Sequence, residues 1–176
     1  MTAIDKNTAH QFAGAYVKSR AIASWMDIEH GIARLTAAFA QPMAPDRIIE
    51  GTMTFFDQGI EVRTYYSEGF AEWVSESIHI EDLLVVLNEL NRRLWIGQDQ
   101  VLARFYMNSE SGDIMMISYF NYEQFALQQD AVLESFATVW PTLMAKLVAI
   151  IFSVAMGETS IEDAVNQIDQ VNQTDL

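Results

Sequence analysis

Chemistry in this sequence could come from three histidines, a pair of glutamates or one polar loop. His10, His30 and His79 fall in an N-terminal helical stretch, in a second helical stretch and at a strand-to-helix corner. None has a second histidine at metal-ligand spacing. Neither H-E-x-x-H nor G-x-S-x-G occurs, and no glycine-rich phosphate loop is present. A catalytic nucleophile needs a base within hydrogen-bond reach and a third group to orient that base. Cysteine is absent and the histidines are scattered, so no such set assembles. Glu61 and Glu72 could face each other across neighbouring strands as paired carboxylates, although acidic residues alternating with apolar ones ordinarily mark a solvated sheet face. The loop Asn108-Ser109-Glu110-Ser111-Gly112-Asp113 offers oxygens around a glycine, as calcium loops do. An EF-hand loop also needs a bidentate Glu six residues past its glycine, where this chain has Ser118. The expectation is a protein with no catalytic group, cofactor or metal, one that is not an enzyme and acts by binding.

Composition sets further bounds. A chain of 176 residues fits one domain, and such a domain buries roughly 70% of the surface of its unfolded chain. Without cysteine there is neither a disulfide framework nor a thiolate metal site. The first six residues lack the basic and apolar stretches of a signal peptide, which predicts a cytoplasmic location. The most apolar segment, 142–156, is shorter than the roughly 18 to 20 residues of a membrane span and is interrupted by Lys146. It reads as a buried core helix, so no membrane partner is expected. A net charge of -14 repels phosphate backbones unless a basic patch overrides it. Arg92 and Arg93 are adjacent but point apart on a helix, and beyond Arg104 the only basic residue is Lys146. Direct nucleic-acid binding is therefore not expected. The acidic surface serves solubility and could attract a basic protein partner.

The elements that would position these residues begin with helix. Thr8 can cap a segment carrying Phe12, Ala13, Tyr16 and Val17, which is assigned to an N-terminal helical extension over 1–20. Trp25, Ile28, Ile32, Leu35 and Phe39 recur every three or four residues and predict an amphipathic helix over 21–40, ended by Pro42 and Pro45. Strands are predicted over 48–56, 60–66 and 70–77, an antiparallel βββ meander. A helix over 80–95 presents Leu83, Leu87, Leu90 and Leu94, with Leu84 and Val86 broadening the stripe, and Gly97 offers a stop. A β-hairpin over 101–107 and 114–120 follows. Asn121 with Gln124 resembles a capping box opening a helix to Val139. Pro141 bends or restarts it, Gly157 closes it, and Ser160 caps a last helix with Ile161, Val165, Ile168 and Val171. The expected fold class is α+β, an antiparallel sheet packed with helices in the order α-βββ-α-ββ-α-α, with 21–172 as a single domain.

The hairpin is apolar on both faces. Val101, Ala103, Phe105 and Met107 alternate with Leu102 and Tyr106; Met115, Ile117 and Tyr119 alternate with Ile114, Met116 and Phe120. If one face packs on helices, the other leaves an apolar patch that calls for a partner or a second subunit. Phe105, Tyr106, Met115, Ile117 and Tyr119 are accordingly the candidate protein interface. Trp25, Trp73, Trp95 and Trp140 suit either core or interface. The expected function is a homodimeric protein-binding domain, chaperone-like or regulatory. The alternative is a small-molecule sensor with a Met- and aromatic-lined pocket between helices and sheet.

The run Leu87-Asn88-Glu89-Leu90-Asn91-Arg92-Arg93, then Arg104-Phe105-Tyr106, the Gly112-Asp113 turn, an apolar strand, Phe136 and Trp140 in a helix, and Gly157-Glu158-Thr159-Ser160 before the last helix resembles the YbjN family of bacterial proteins. The resemblance covers 81–168 and its motifs are structural. That family is described as sensory transduction regulators, and the resemblance implies a type III secretion chaperone-like fold. The helical segment before Ala21 and the strongly acidic balance depart from the family pattern.

Overall fold

A two-residue turn at His30-Gly31 decides the N-terminal half. Both residues have positive φ, +51° and +79°, as a type I′ hairpin turn requires, and Glu29 pairs with Ile32 across it. The stretch 21–40 is therefore not the helix that its spacing predicts but two strands, β1 (Ala23–Glu29) and β2 (Ile32–Ala40). The stripe misleads because its members divide between two faces. Trp25 and Ile32 lie on one side of the sheet, while Ile28, Leu35 and Phe39 lie on the other. The pattern that burial follows is the period-two run Ala33, Leu35, Ala37, Phe39.

The computed structural model describes residues 4–94, 103–108 and 110–171. Trp95, Gly97, Val101, Leu102 and Ser109, and the side chain of Trp73, lie outside the described residues. Helix α1 (Lys6–Ser19) is capped by Asp5, whose side chain accepts from the Thr8 N–H at 2.7 Å, so Thr8 is the capped residue and not the cap. After the β2 strand come β3 (Ile48–Phe55) and β4 (Ile60–Tyr65), paired as the sequence predicts. The expected third strand of the meander is instead helix α2 (Glu68–Ser75), with Phe70, Ala71 and Val74 buried at helical spacing. Helix α3 (Ile80–Arg93) buries Leu83, Val86, Leu87 and Leu90. Strands β5 (Arg104–Met107) and β6 (Ile114–Phe120) form the predicted hairpin.

All six strands join one antiparallel sheet in the order β1-β2-β3-β4-β6-β5. The α+β class with an antiparallel sheet holds; the meander is four strands displaced toward the N-terminus. The Asn121/Gln124 capping box is present and opens α4 (Tyr122–Leu127). Next follow α5 (Gln129–Glu134), a π-helical turn (Ser135–Val139), α6 (Trp140–Ala155) and α7 (Ile161–Val171). Ser160 accepts from the Asp163 N–H at 3.1 Å, capping α7 as predicted.

Pro141 follows directly on the π turn, a local widening of the helix that accommodates the missing N–H and lets the helix run through. Gln129–Ala155 is thus one helical run of 27 residues, long and apolar enough to cross a membrane. The shortness expected of segment 142–156 is corrected accordingly. What marks the run as a core helix is burial: Trp140, Leu143, Met144, Leu147 and Ile151 are shielded from solvent.

The helices cover one face of the sheet. There Leu35, Ile49, Met53, Phe55, Ile60 and Val62 meet Phe136, Trp140, Leu143 and Leu147 in one cluster. Gly51 gives the Phe136 and Phe39 rings room, since a methyl group there would lie 2.7 Å from one and 2.9 Å from the other. Helix α1, set apart in the sequence as an extension, buries Ala9, Ala13 and Val17 in the same cluster.

Candidate functional site

Because strand side chains alternate, the residues opposite that core form a second face, over which no helix lies among the described residues. The pairings place them in rows across the sheet. One runs Trp25, Thr36, Thr52, Arg63, Ile117, Arg104 from β1 to β5; a second runs Ala23, Ala38, Glu50, Tyr65, Met115, Tyr106; a third runs Asp27, Arg34, Thr54, Glu61, Tyr119. Four of the five candidate interface residues, Tyr106, Met115, Ile117 and Tyr119, therefore share this open face. Tyr106 and Tyr119 are each 54% exposed, as is Trp25 at the far edge. Phe105 is placed on the opposite, helix-covered face, opposite Met116 and only 6% exposed.

Phe105 does matter for the edge of the sheet. Its N–H donates to Asn91 Oδ1 at 2.6 Å, and its carbonyl accepts from Asn91 Nδ2 at 3.0 Å. The side-chain amide thus completes backbone hydrogen bonds that an edge strand would leave open. Arg104 reaches round the same edge to the Asn91 carbonyl at 3.2 Å. Asn91 can do this because α3 packs against β5, held in turn by Arg93, which pairs with Glu89 and with Asp169 of α7, each at 2.7 Å. Arg92 also pairs with Glu89, so the adjacent arginines serve the fold.

At the middle of the open face is a concavity of about 400 Å³ whose apolar lining is Ile32, Phe56, Tyr65 and Met115, with Arg34, Arg63, Glu61, Asp113 and two threonines completing it. Arg63 pairs with Glu61 at 2.8 Å, while its Nε is shielded without a hydrogen-bond partner among the described residues. Burial, and then the nearby Glu50 carboxylate, push the Tyr65 hydroxyl above its ordinary pKa, so it stays protonated. Arg34, Arg63 and Arg104 are outnumbered on the face by Asp27, Glu29, Glu50, Glu61 and Asp113. The face thus interleaves aromatic and apolar side chains with charged ones of acidic balance.

The residues weighed for chemistry are kept apart. His10 is buried on α1 against the Phe55 ring, at 5.0 Å between centroids. His30 sits in the exposed β1–β2 turn, and His79 lies against Gly157, beside Asp82 at 3.4 Å. Glu61 and Glu72 do not face each other, because Glu72 is on α2 rather than a strand. The loop after β5 closes on itself: Asn108 N–H donates to the Asp113 carbonyl, Gly112 N–H to the Asn108 carbonyl, and Ser111 Oγ to Asp113 Oδ2. Among the described residues no group of three or more His, Asp or Glu side chains could hold a metal ion. The role of Asn91 carries no sequence signal, and the helical reading of 21–40 hides the place of Trp25 on an edge strand. A signal for Trp25 existed in the His30-Gly31 dipeptide, which marks a tight turn where the helical reading needed continuity.

Comparison with protein-family models, with curated proteins and with solved structures finds no match to this chain.

Proposed function

We propose that this chain is a non-catalytic, homodimeric protein-binding domain, chaperone-like or regulatory, that docks a partner protein on the open face of its sheet. The carrying observation is the one-sided cover of the sheet. Trp25, Tyr106, Met115, Ile117 and Tyr119 stand on a face that no helix protects among the described residues, and exposed aromatic and apolar side chains of this kind are what protein interfaces use. The occupant it fits is a protein whose contact surface is apolar with basic residues, because the face and the whole chain are acidic. The resemblance to the YbjN family, with its type III secretion chaperone-like fold, supports the same reading, and the cysteine-free sequence suits a cytoplasmic setting.

Affinity capture from cells with three variants tests it. Tyr106→Lys and Tyr119→Lys each replace an exposed aromatic by a charge that repels a basic partner, and Leu84→Lys alters an exposed position on α3. A partner retained by wild type and Leu84→Lys, lost with both tyrosine variants and released by high salt supports the proposal. Capture that is indifferent to the tyrosine variants and lost with Leu84→Lys overturns it.

A small-molecule sensor is the second reading, and a cleft of about 530 Å³ favours it. It lies where α2, α6 and the loop before β3 meet, lined by Met43, Ala44, Phe70, Val148 and Phe152. Its rim includes Asp46, held at a left-handed φ of +53° and accepting from Ser67 Oγ at 2.8 Å. The layer between helices and sheet, where the sensor pocket was expected, is filled by Trp140, Phe136 and Phe55. An apolar ligand at a hundred times its dissociation constant would stabilise the fold by about 2.7 kcal/mol, and a thermal-shift screen reads that directly.

A further inference from the structure

The two edges of the sheet are treated differently. At the β5 edge, the Asn91 side chain occupies the outward N–H and carbonyl of Phe105, Arg104 ties the strand to the Asn91 carbonyl of α3, and the strand is only four residues long. Among the described residues, the β1 edge pairs with β2 alone and no side chain bonds to the outward backbone of Ala23–Glu29. All seven of its residues are exposed, including Met26 at 45% and Ile28 at 68% on the helix side and Trp25 on the open side. Natural edges avoid pairing with other chains by means of charged side chains, above all Lys or charges pointing into the core side, by Pro, bulges or shortness, or by a covering helix or loop. The sequence Ala-Ser-Trp-Met-Asp-Ile-Glu has no Lys or Pro, its two charges, Asp27 and Glu29, both lie on the open side and none points to the core side, and its register with β2 runs without a bulge from Ala23 to Glu29.

We propose that two copies of the chain pair through β1, antiparallel and centred on Met26, so that their sheets join into one continuous twelve-stranded sheet. Charge and length select that register. Centred on Met26, all seven residues pair: Asp27 meets Trp25 of the second copy, Glu29 meets Ala23, Ser24 meets Ile28, and Met26 meets its twin. Centred on Asp27, that carboxylate opposes its own copy; centred on Ile28, Asp27 opposes Glu29. Both place like charges at cross-strand contact, which is destabilising. Centring on Trp25 leaves Ile28 and Glu29 unpaired. On the helix side, Gly14 of α1 lets Met26 lie close, since a methyl group at Gly14 would sit 2.2 Å from the Met26 sulfur. The dimer thereby aligns two open faces side by side, with a Trp25 from each copy beside the junction.

This inference deepens the homodimeric part of the proposed function, and docking on the open face stands or falls separately through the capture experiment. The chain has no cysteine, so one introduced thiol reports on one contact. Met26→Cys puts a thiol opposite its twin, within disulfide reach, whereas Ile28→Cys separates the two thiols by about 13 Å along the strands, beyond that reach. Sedimentation equilibrium of the unmodified chain is expected to give a dimer that strengthens with added salt, as screening relieves repulsion between two acidic copies. Mild oxidation is expected to cross-link Met26→Cys quantitatively and Ile28→Cys hardly at all, and Met26→Lys is expected to give a folded monomer by circular dichroism and sedimentation. A strict monomer overturns the proposal. So does a dimer that survives Met26→Lys, or one that cross-links through Ile28→Cys in preference to Met26→Cys.

Discussion

The side-chain amide of Asn91 brackets Phe105, accepting its N–H at 2.6 Å and donating to its carbonyl at 3.0 Å, so a helix residue stands in for a seventh strand. Asn91→Ala leaves both backbone groups without a protein partner. Urea unfolding is expected to show a loss of about 1–3 kcal/mol, the cost of unmade hydrogen bonds at a partly buried site. The newly opened edge should also make the variant associate at concentrations where the parent does not. An unchanged unfolding midpoint would show that the bracket contributes nothing.

Gly112 and Gly31 both have positive φ, +75° and +79°, but differ in surroundings. A methyl group at Gly31 meets nothing within 4 Å, so Gly31→Ala should cost only the left-handed conformation, about 1 kcal/mol. At Gly112 the methyl would lie 2.1 Å from the Ala71 carbonyl oxygen and 2.7 Å from the Ser75 nitrogen, both backbone atoms of α2. Gly112→Ala must displace the helix or the turn and should destabilise severalfold more. Equal unfolding midpoints for the two variants would contradict this contact.

At alkaline pH the buried Tyr66 and the half-buried Tyr122 should set the limit of stability. Burial, then the neighbouring Tyr119, Asp57 and Asp5, push Tyr122 up to about 12, while its hydroxyl donates to the Phe56 carbonyl at 2.5 Å. Burial alone raises Tyr66, which donates to the Met144 carbonyl at 2.7 Å. A raised folded-state pKa gives stability that is complete below the unfolded value near 10 and is lost as pH rises through the folded value. Unfolding midpoints should therefore fall between about pH 10 and 12, and Tyr122→Phe should flatten part of that slope.

On the acidic side, a hydrogen bond from Tyr16, with Thr138 and Arg20 assisting against some burial, holds Glu134 below the usual carboxylate range. Its stabilising contribution is present above that range and disappears as pH falls through the lowered value. The site is partly open to solvent, so the effect is modest. Tyr16→Phe is expected to lower stability at neutral pH more than at pH 3, and equal losses at both would contradict the coupling.

Much of the fold was legible where one period dominates. The strands 48–55 and 60–65, the hairpin strand 114–120, the α3 stripe and the Asn121/Gln124 box emerge close to the predicted places, because each alternation or cap has a single consistent face. The reading failed where apolar residues occupy both faces of an element. Trp25, Ile28 and Ile32 simulate a helical stripe because β1 carries large apolar residues on both sides, an edge-strand feature that periodicity alone cannot separate from a helix. Phe70, Ala71 and Val74 form too short a run to distinguish helix from strand. At the candidate site, Tyr106, Met115, Ile117 and Tyr119 followed from alternation, whereas Phe105, opposite in parity to Tyr106, belongs to the core face.

Docking on the open face is tested most directly by placing a photo-reactive benzophenone amino acid at Tyr106, and separately at Leu84, and irradiating living cells that express each variant. The account predicts a covalent adduct with one basic protein from position 106 and none from position 84. Adducts from position 84 with none from position 106 would contradict it.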